Sequence, residues 1–257
     1  MDQWLKMVPD SVVNLPEGLR NLLFQLYQTF IAADRWKWFL NGLKITFAVT
    51  IGALILGVII GLLIAIVRTA HDSRRMGKSN IILSILNAVC KLYLTVIRGT
   101  PMMVQLLIMG FVIMVPKDDT ARLVCGIVTL GINSGAYVAE IVRGGLASVP
   151  FGQYEAAKSQ GFSTVQTYLL IILPQALRNM VPALLSQFVT TIKDTSYLWG
   201  AMALQELMGR GMILMNSYNS TVQIFAIFGL MALIYFVVCF TLSQIVRAYQ
   251  RRLKGAR

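Results

Sequence analysis

The chain has 257 residues, of which 56% are hydrophobic and only 13% are charged, and its net charge is +12. A soluble domain usually carries about 25% charged residues, so this composition excludes an ordinary globular protein. The apolar residues form long blocks and the basic residues gather at the ends of those blocks. This pattern indicates membrane helices and argues against nucleic acid as the partner of the positive charge.

The first apolar pattern, Leu19–Phe30, has the spacing of an amphipathic helix and is too short and too polar to span a bilayer. Trp36 and Trp38 follow it, and tryptophan is enriched at membrane interfaces. We expect the helix either to lie along the membrane surface or to pack on the rim of a helix bundle. Residues 1–39 are therefore assigned to a separate N-terminal segment.

The rest of the chain contains about five predicted spans, because a span needs roughly 20 mostly apolar residues. Gly57 and Gly61 form a small-xxx-small pair, which predicts close packing of the first span against another helix. The second stretch is too long for one straight span, and we expect it to begin in the interface and kink near Pro101. A polar loop is predicted at 69–79. The predicted spans are 43–67, 81–115, 123–142, 180–199 and 222–245.

The distribution of Lys and Arg predicts the orientation. With five spans the two ends lie on opposite sides, and the loop after the first span, the segment 143–178 and the basic tail fall on the same side. That side carries more Lys and Arg than the other, and cytoplasmic segments carry an excess of these residues. We therefore expect an outside N-terminus and a cytoplasmic C-terminus, with residues 250–257 as a basic cytoplasmic tail.

The cytoplasmic segment 143–178 is predicted to contain two short helices with a sharp break. Residues 153–160 favour a helix with Glu155 in its first turn, where the helix dipole favours a negative charge. Gly161 follows as a predicted left-handed cap. Ser163 and Gln166 have the spacing of a capping box, so a second helix is predicted from Ser163 to Pro174.

Small side chains mark the first of these helices. Ala156 and Ala157 are predicted to be exposed, and small exposed residues let a partner pack close to the backbone. Two short helices at a fixed angle on the inner face of a bundle form a rigid lever. We interpret the segment as a docking element and not as a flexible loop.

The sequence at this point resembles a known family. Glu155-Ala156-Ala157, Gly161 and Ile172-Leu173-Pro174 resemble the EAA loop of bacterial ABC importer permeases. Three further motifs resemble those of polar amino-acid permeases of the histidine/glutamine/glutamate type. They are Arg98-Gly99-Thr100-Pro101 with Gln105, the run from Ala136 to Gly145, and Lys193-Asp194-Thr195-Ser196.

The resemblance implies an all-α membrane bundle of five spans, the type I ABC importer permease fold, over residues 40–249, with the EAA loop at about 150–175. It implies a multi-pass protein of the bacterial inner (plasma) membrane. It also implies a second permease subunit, the same or homologous, a dimer of ATP-binding subunits, and an extracytoplasmic binding protein that delivers an amino acid. ATP is then bound by the partner subunit, and we expect no cofactor in this chain. The residues assigned to ATPase coupling are Glu155, Ala156, Ala157, Gly161 and Pro174.

Several polar residues within the spans are candidates for a substrate pathway. A charge near mid-bilayer costs at least about 2.5–3.5 kcal/mol, so it faces a cavity or a partner. A zwitterionic amino acid needs donors for its carboxylate and acceptors for its ammonium group. The alternative is structural, with Glu140 paired only to Arg143 and Lys193 only to Asp194. The candidates are Gln105, Glu140, Gln187, Lys193, Asp194, Thr195 and Ser196.

Parts of the sequence also allow two other classes of protein. Ser134 superficially resembles the nucleophile of an intramembrane protease, which needs a general base within a span; only Lys193 could serve, because the single histidine, His71, lies in a predicted loop. A passive channel would not need a docking loop.

Gly77-Lys78-Ser79 resembles the end of a P-loop, but Asp72 stands where that motif needs glycine. We therefore expect no ATPase site and no catalytic centre in this chain. The sequence indicates neither which amino acid is carried nor whether the subunit pairs with itself.

Overall fold

The computed structural model describes residues 1–74 and 80–255, and within these ranges the secondary structure consists of helices joined by short turns and loops, without strands. The all-α prediction is confirmed. Short 3-10 and π-helical pieces interrupt the α-helices at Ala32–Asp34, Met109–Ile113 and Thr167–Ile172. The helices are α1 (Asp2–Leu5), α2 (Asp10–Val13), α3 (Glu17–Phe30), α4 (Trp36–Arg74), α5 (Ile81–Gly99), α6 (Met102–Ile108), α7 (Asp119–Ala147), α8 (Phe151–Ser159), α9 (Thr164–Gln166), α10 (Leu173–Asp194), α11 (Tyr197–Met202), α12 (Leu207–Met215) and α13 (Thr221–Gly255).

Five helical stretches among the described residues are long and apolar enough to cross a membrane, as the sequence predicted. The polar loop expected at 69–79 begins later than predicted, because α4 continues to Arg74. No glycine or proline occurs between Val67 and Arg74 to end the helix earlier. Positions 75–79, including the Gly77-Lys78-Ser79 motif, lie outside the described residues. The five stretches are Ala32–Asp72, Ile81–Gly99, Asp119–Ala147, Thr164–Asp194 and Thr221–Arg251.

Glycines bring α4 and α7 into close contact at the centre of the bundle. A Cβ placed on Gly57 would lie 2.8 Å from the Cβ of Ser134, and one on Gly61 would lie 2.6 Å from Val138. Gly135 of α7 approaches Ile60 in the same way. The small-xxx-small prediction is confirmed, since larger residues at these positions would force the two helices apart.

The second span breaks where the sequence predicted a kink. α5 ends at Gly99, Thr100 is extended, and Pro101 begins the next helix. Proline has no N–H to donate and disfavours a helical residue before it, so the last carbonyls of α5 lack helical partners. The Gln105 amide nitrogen donates to two of them, at 2.7 Å to Ile97 and 3.2 Å to Thr100.

The fourth span begins earlier than predicted. Continuous helix runs from Thr164 to Asp194, so the second helix of the cytoplasmic segment and the start of the span are one element; the predicted start at Met180 is wrong. The polar residues of this stretch counted against a span in the sequence. Asn179, Ser186, Thr190 and Lys193 share an exposed face of the helix, whereas Thr167, Gln187 and Thr191 are buried within the bundle. A π-helix at Thr167–Ile172 precedes Pro174. The changed hydrogen-bond pattern of the π-helix accommodates the N–H that proline lacks.

The N-terminal helix α3 packs against the loop that precedes α13. The Tyr218 hydroxyl donates to the carbonyl of Gln28 at 3.0 Å, and the Ser220 hydroxyl donates to the Gln25 side chain at 3.0 Å. On another face of α3, Leu19 and Leu22 are exposed. The helix therefore lies on the rim of the bundle and still presents apolar side chains outward.

Candidate functional site

The residues after α7 form a bent element that we call the hook, residues 151–172, made of α8, a break at Gly161, α9 and the following π-helix. Gly161 has φ +82°, a conformation that glycine adopts without steric cost. The N–H of Gly161 donates to the Lys158 carbonyl at 3.0 Å, and the N–H of Phe162 donates to the Ala157 carbonyl at 3.1 Å. This pair of bonds is a Schellman motif, and the predicted left-handed glycine cap is confirmed.

The second arm of the hook starts with the predicted capping box, which is also confirmed. The Ser163 hydroxyl accepts from the N–H of Gln166 at 3.2 Å, and the Gln166 side chain accepts from the N–H of Ser163 at 2.9 Å. Lys158 of the first arm donates to the Thr164 hydroxyl of the second at 2.8 Å. The angle between the arms is therefore fixed from both sides of the break.

Side chains also tie the hook to α10. Tyr154 and Tyr168 stack edge to face with ring centroids 5.5 Å apart. Burial and the neighbouring Tyr168 raise the pKa of Tyr154 to about 12, so its hydroxyl stays protonated. The Gln175 amide of α10 donates to Gln153 at 3.3 Å. The tyrosine pair joins the two arms, the second arm runs directly into α10, and Gln175 contacts the first arm, so a displacement of α8 displaces α10.

Two details of the hook differ from the prediction. α8 begins at Phe151, so Glu155 lies in the second turn and not in the first. Ala157 is only 2% exposed, so the prediction that both alanines are exposed is wrong for this one. A small side chain at Ala157 lets α8 sit closely on the bundle, while Glu155 and Ala156 point to solvent.

Sequence reasoning missed the apolar outer surface of the hook. Phe151 is 72% exposed, and Val165 and Leu170 are 66% and 62% exposed. Phe151 lies before the fourth span, and Val165 and Leu170 lie in its first residues, so these apolar side chains are exposed at the end of the bundle, where a partner can cover them. The available signal was the phenylalanine directly after Pro150, which has no role in the core. Pro174 itself is exposed at the start of α10.

Of the candidate pathway residues, Gln105 lies between three helices. Its amide nitrogen caps the broken end of α5, and its oxygen accepts from Asn133 of α7 at 2.9 Å. Gln105 thus uses its polar atoms in helix contacts. The motif indicates this position, but the spacing does not predict its hydrogen-bond partners.

Glu140 has more ion-pair partners than the structural alternative predicted, which paired it only with Arg143. The carboxylate accepts from Arg143 at 2.8 Å, as that alternative expected, and also from Arg68 of α4 at 2.6 Å. Arg98 of α5 lies 4.0 Å away. Glu140 therefore joins α4, α5 and α7 and is surrounded by an excess of positive charge.

The candidates on α10 and after it lie on two different faces. Gln187 and Thr195 are buried, whereas Lys193 is exposed, with Asp194 and Ser196 half-buried. In the described part of the chain no ion pair within 4.0 Å joins Lys193 to Asp194. The structure brings neither residue to Glu140, so the candidates do not form one cluster within a single subunit.

The exposed face of α10 is polar along its length. Asn179, Ser186, Thr190 and Lys193, which we call the α10 stripe, share this face and are all exposed. Polar side chains of a span face a bundle interior or a water-filled cavity and not lipid. The α10 stripe therefore marks a surface that another chain or an aqueous pathway covers.

The surroundings of the Ser134 hydroxyl argue against the protease alternative. It is 2% exposed and hydrogen-bonds the hydroxyl of Thr191 at 3.1 Å. A threonine hydroxyl is not a general base, and the contact joins α7 to α10. Ser134 therefore has a packing role.

A buried carboxylate that the sequence did not single out lies at the start of α12. Glu206 is fully buried and accepts from the N–H groups of Met208 and Gly209, at 2.9 and 2.8 Å. It also accepts from the hydroxyls of Tyr235 at 3.0 Å and Thr46 at 3.3 Å. Glu206 thus caps α12 and connects it to α4 and α13.

Comparisons with known proteins agree with the predicted family. The family described as "Binding-protein-dependent transport system inner membrane component" matches residues 76–255. The glutamine transport system permease protein of Escherichia coli (strain K12) is 34% identical over 217 residues, which cover 84% of this chain and 92% of that protein. The L-cystine transport system permease protein TcyB of Bacillus subtilis (strain 168) is 33% identical over 218 residues, covering 85% and 87%.

Solved structures give the same result for the fold. A crystal structure of an amino acid ABC transporter with histidines has a chain with a TM-score of 0.71 and 32% identity, covering 84% of this chain and 94% of that one. An inward-facing MetNI methionine ABC transporter superposes with a TM-score of 0.64 at 21% identity, which is a likeness of fold alone. The predicted permease fold is confirmed. This chain belongs to the family of inner-membrane components of binding-protein-dependent transport systems, the permease subunits of ABC importers, and is a transport subunit and not an enzyme.

Proposed function

We propose that this chain carries a polar amino acid across the membrane, coupled through the hook to a dimer of separate ATPase subunits and supplied by an extracytoplasmic binding protein. The observation that carries the proposal is the hook itself. It is held rigid by a Schellman motif and a capping box, it contacts α10 from inside, and it presents apolar side chains outside. Relatives named for glutamine and cystine support an amino-acid substrate.

ATPase docking fits the outer surface of the hook. Phe151 and Leu170 offer exposed apolar side chains to a partner. Glu155 and Ala156 of α8 are also exposed to solvent. Burying apolar side chains against a partner removes apolar surface from water and so favours the contact. Gly161 and Pro174 contribute by shaping the bend and not by touching the partner.

A second permease subunit fits the α10 stripe. A polar face exposed from Asn179 to Lys193 is unfavourable against lipid. A paired subunit, with a water-filled pathway between the two copies, would cover this face. Lys193 is the pathway candidate that lies on this face, with Ser196 just beyond it. Gln105 and Glu140 act indirectly on the pathway, because their polar atoms bond neighbouring helices to one another.

The orientation follows from the positive-inside rule. The hook, the segment between α4 and α5 and the basic end of α13 are then cytoplasmic, and α3 is outside. ATP is bound by the partner subunits, and the chain itself holds no cofactor.

Transport requires two arrangements of the bundle with different affinities for the partners. Closure of the ATPase dimer around ATP moves the hook. The Tyr154–Tyr168 and Gln153–Gln175 contacts pass that movement to α10, and the pathway beside the α10 stripe changes its accessibility.

Reconstitution of the full complex tests this proposal. Proteoliposomes with the ATPase and binding protein are assayed for uptake of radiolabelled L-glutamine, L-glutamate, L-histidine and L-cystine. The proposal predicts uptake of at least one of them only with ATP and the ATPase present. Flux that persists without the ATPase would identify a passive channel, and ATP hydrolysis without uptake of any of the four would overturn the substrate class.

A further inference from the structure

A basic pocket opens between α4, α5 and α7. Its volume is about 430 Å³, and its charged lining consists of Arg68, Lys91, Arg98 and Glu140. Three cations therefore face one carboxylate. We call this cavity the basic pocket.

The single carboxylate is already occupied. One oxygen of Glu140 accepts from Arg68 at 2.6 Å and the other from Arg143 at 2.8 Å. The Nε of Arg68 is buried without a hydrogen-bond partner, and within the described residues no hydrogen bond or ion pair holds the Lys91 ammonium. The basic pocket thus has spare positive charge and spare donors for an anion.

Charged side chains form the open wall of the pocket. Lys91, Thr95 and Arg98 share one face of α5 and all are exposed. Charged side chains within a span face a water-filled cavity or a partner and not lipid tails, so this face meets water or another chain in the assembled transporter. A lipid phosphate at the membrane surface is the competing anion, and the vesicle experiment below separates it from a substrate.

We propose that the basic pocket binds the carboxylate group of the amino acid as it passes through the transporter, and that Lys91 and Arg98 are its donors. The proposal rests on the proposed function. Charge-assisted hydrogen bonds from Arg and Lys are the usual means of holding a carboxylate. The carboxylate that the transporter must carry across the membrane is that of the amino acid. Lys91 and Arg98 are contacts additional to the α10 stripe.

Lys91→Gln tests the proposal, because the side chain is exposed and the fold does not depend on it. In the reconstituted complex, uptake of whichever of the four amino acids the parent protein carries should fall about tenfold, the effect of one charge-assisted hydrogen bond. ATP hydrolysis stimulated by the loaded binding protein should stay at the parent level. Lys91→Arg should restore uptake, and Lys117→Gln, which removes an exposed charge from the loop after α6, should transport normally.

The same assays in vesicles with and without phosphatidylglycerol separate substrate from lipid. A carboxylate in transit predicts the same loss in both. Unchanged uptake by Lys91→Gln, an equal loss of stimulated ATP hydrolysis, or a loss confined to vesicles with the anionic lipid would each overturn the proposal. Failure of the parent protein to take up any of the four amino acids would instead contradict the proposed function.

Discussion

The N–H of Phe162 donates to the carbonyl of Ala157 at 3.1 Å, across a glycine with φ +82°. This contact reverses the chain between the two arms of the hook. It also places the carbonyl end of α8 beside the start of α9, so that Lys158 reaches Thr164. The bend is thus a property of the backbone at one position, Gly161, and does not depend on a partner.

Gly161→Val should uncouple the two arms. A β-branched residue in a left-handed conformation costs about 1–3 kcal/mol, and nothing lies within 4 Å of the added Cβ to compensate. We expect ATP-dependent uptake to fall at least fivefold, while membrane insertion and the amount of protein recovered stay the same. Uptake in proteoliposomes, normalised to the inserted permease, measures the effect.

Gly152→Val is the matched control for this substitution. Gly152 lies in the same α8 helix, has open space around an added Cβ and has no positive φ. Because the backbone is helical there, valine is tolerated, and uptake should remain within about twofold of the parent. Equal loss of uptake by both variants would show that the outer surface of α8 matters and that the bend does not.

Gly61→Leu should destabilise the centre of the bundle. The added side chain would start 2.6 Å from Val138 and 2.9 Å from the backbone of Ala139, and overpacking of this kind costs about 1–3 kcal/mol. The unfolding temperature in detergent should drop. Gly229→Leu on α13 has open space around its Cβ and should unfold at the parent temperature; a similar drop in both would contradict close α4–α7 packing.

Glu206→Ala should destabilise the junction of α4, α12 and α13. The substitution removes a helix cap, worth about 1 kcal/mol, and leaves the buried hydroxyls of Tyr235 and Thr46 without their acceptor, at about 1–3 kcal/mol more. The unfolding temperature should fall clearly for Glu206→Ala and less for Tyr235→Phe. Glu17→Ala, at an exposed carboxylate of α3, should change it little, and equal effects of Glu206→Ala and Glu17→Ala would refute the cap.

Most of the architecture was predictable because the signals were local or periodic. The apolar blocks predicted the five spans, Pro101 predicted the break after α5, and Gly161 with Ser163 and Gln166 predicted both caps of the hook. The break and the caps depend on residues a few positions apart, and the spans depend on continuous apolar runs. The start of the fourth span was placed wrongly because a polar face on α10 reduced its apolar character.

Long-range contacts were not predictable from the chain alone. Arg68 and Glu140 are 72 positions apart and Thr46 and Glu206 are 160 apart, so no spacing rule connects them. The burial of Ala157 was likewise not predictable from the sequence, since it depends on how α8 packs on the bundle. The assignment of Glu155, Ala156, Ala157, Gly161 and Pro174 to coupling stays a prediction.

Cysteine cross-linking at two neighbouring positions tests the central claim, that the hook docks an ATPase subunit. Ala156 is exposed and Ala157 is 2% exposed, so they form a matched pair in a background whose own cysteines are replaced by alanine. In the assembled complex, Ala156→Cys should cross-link to the ATPase subunit, whereas Ala157→Cys, and Lys117→Cys beyond α6, should not. Cross-linking from Lys117→Cys but not from Ala156→Cys would place the ATPase at the other end of the bundle and contradict the account.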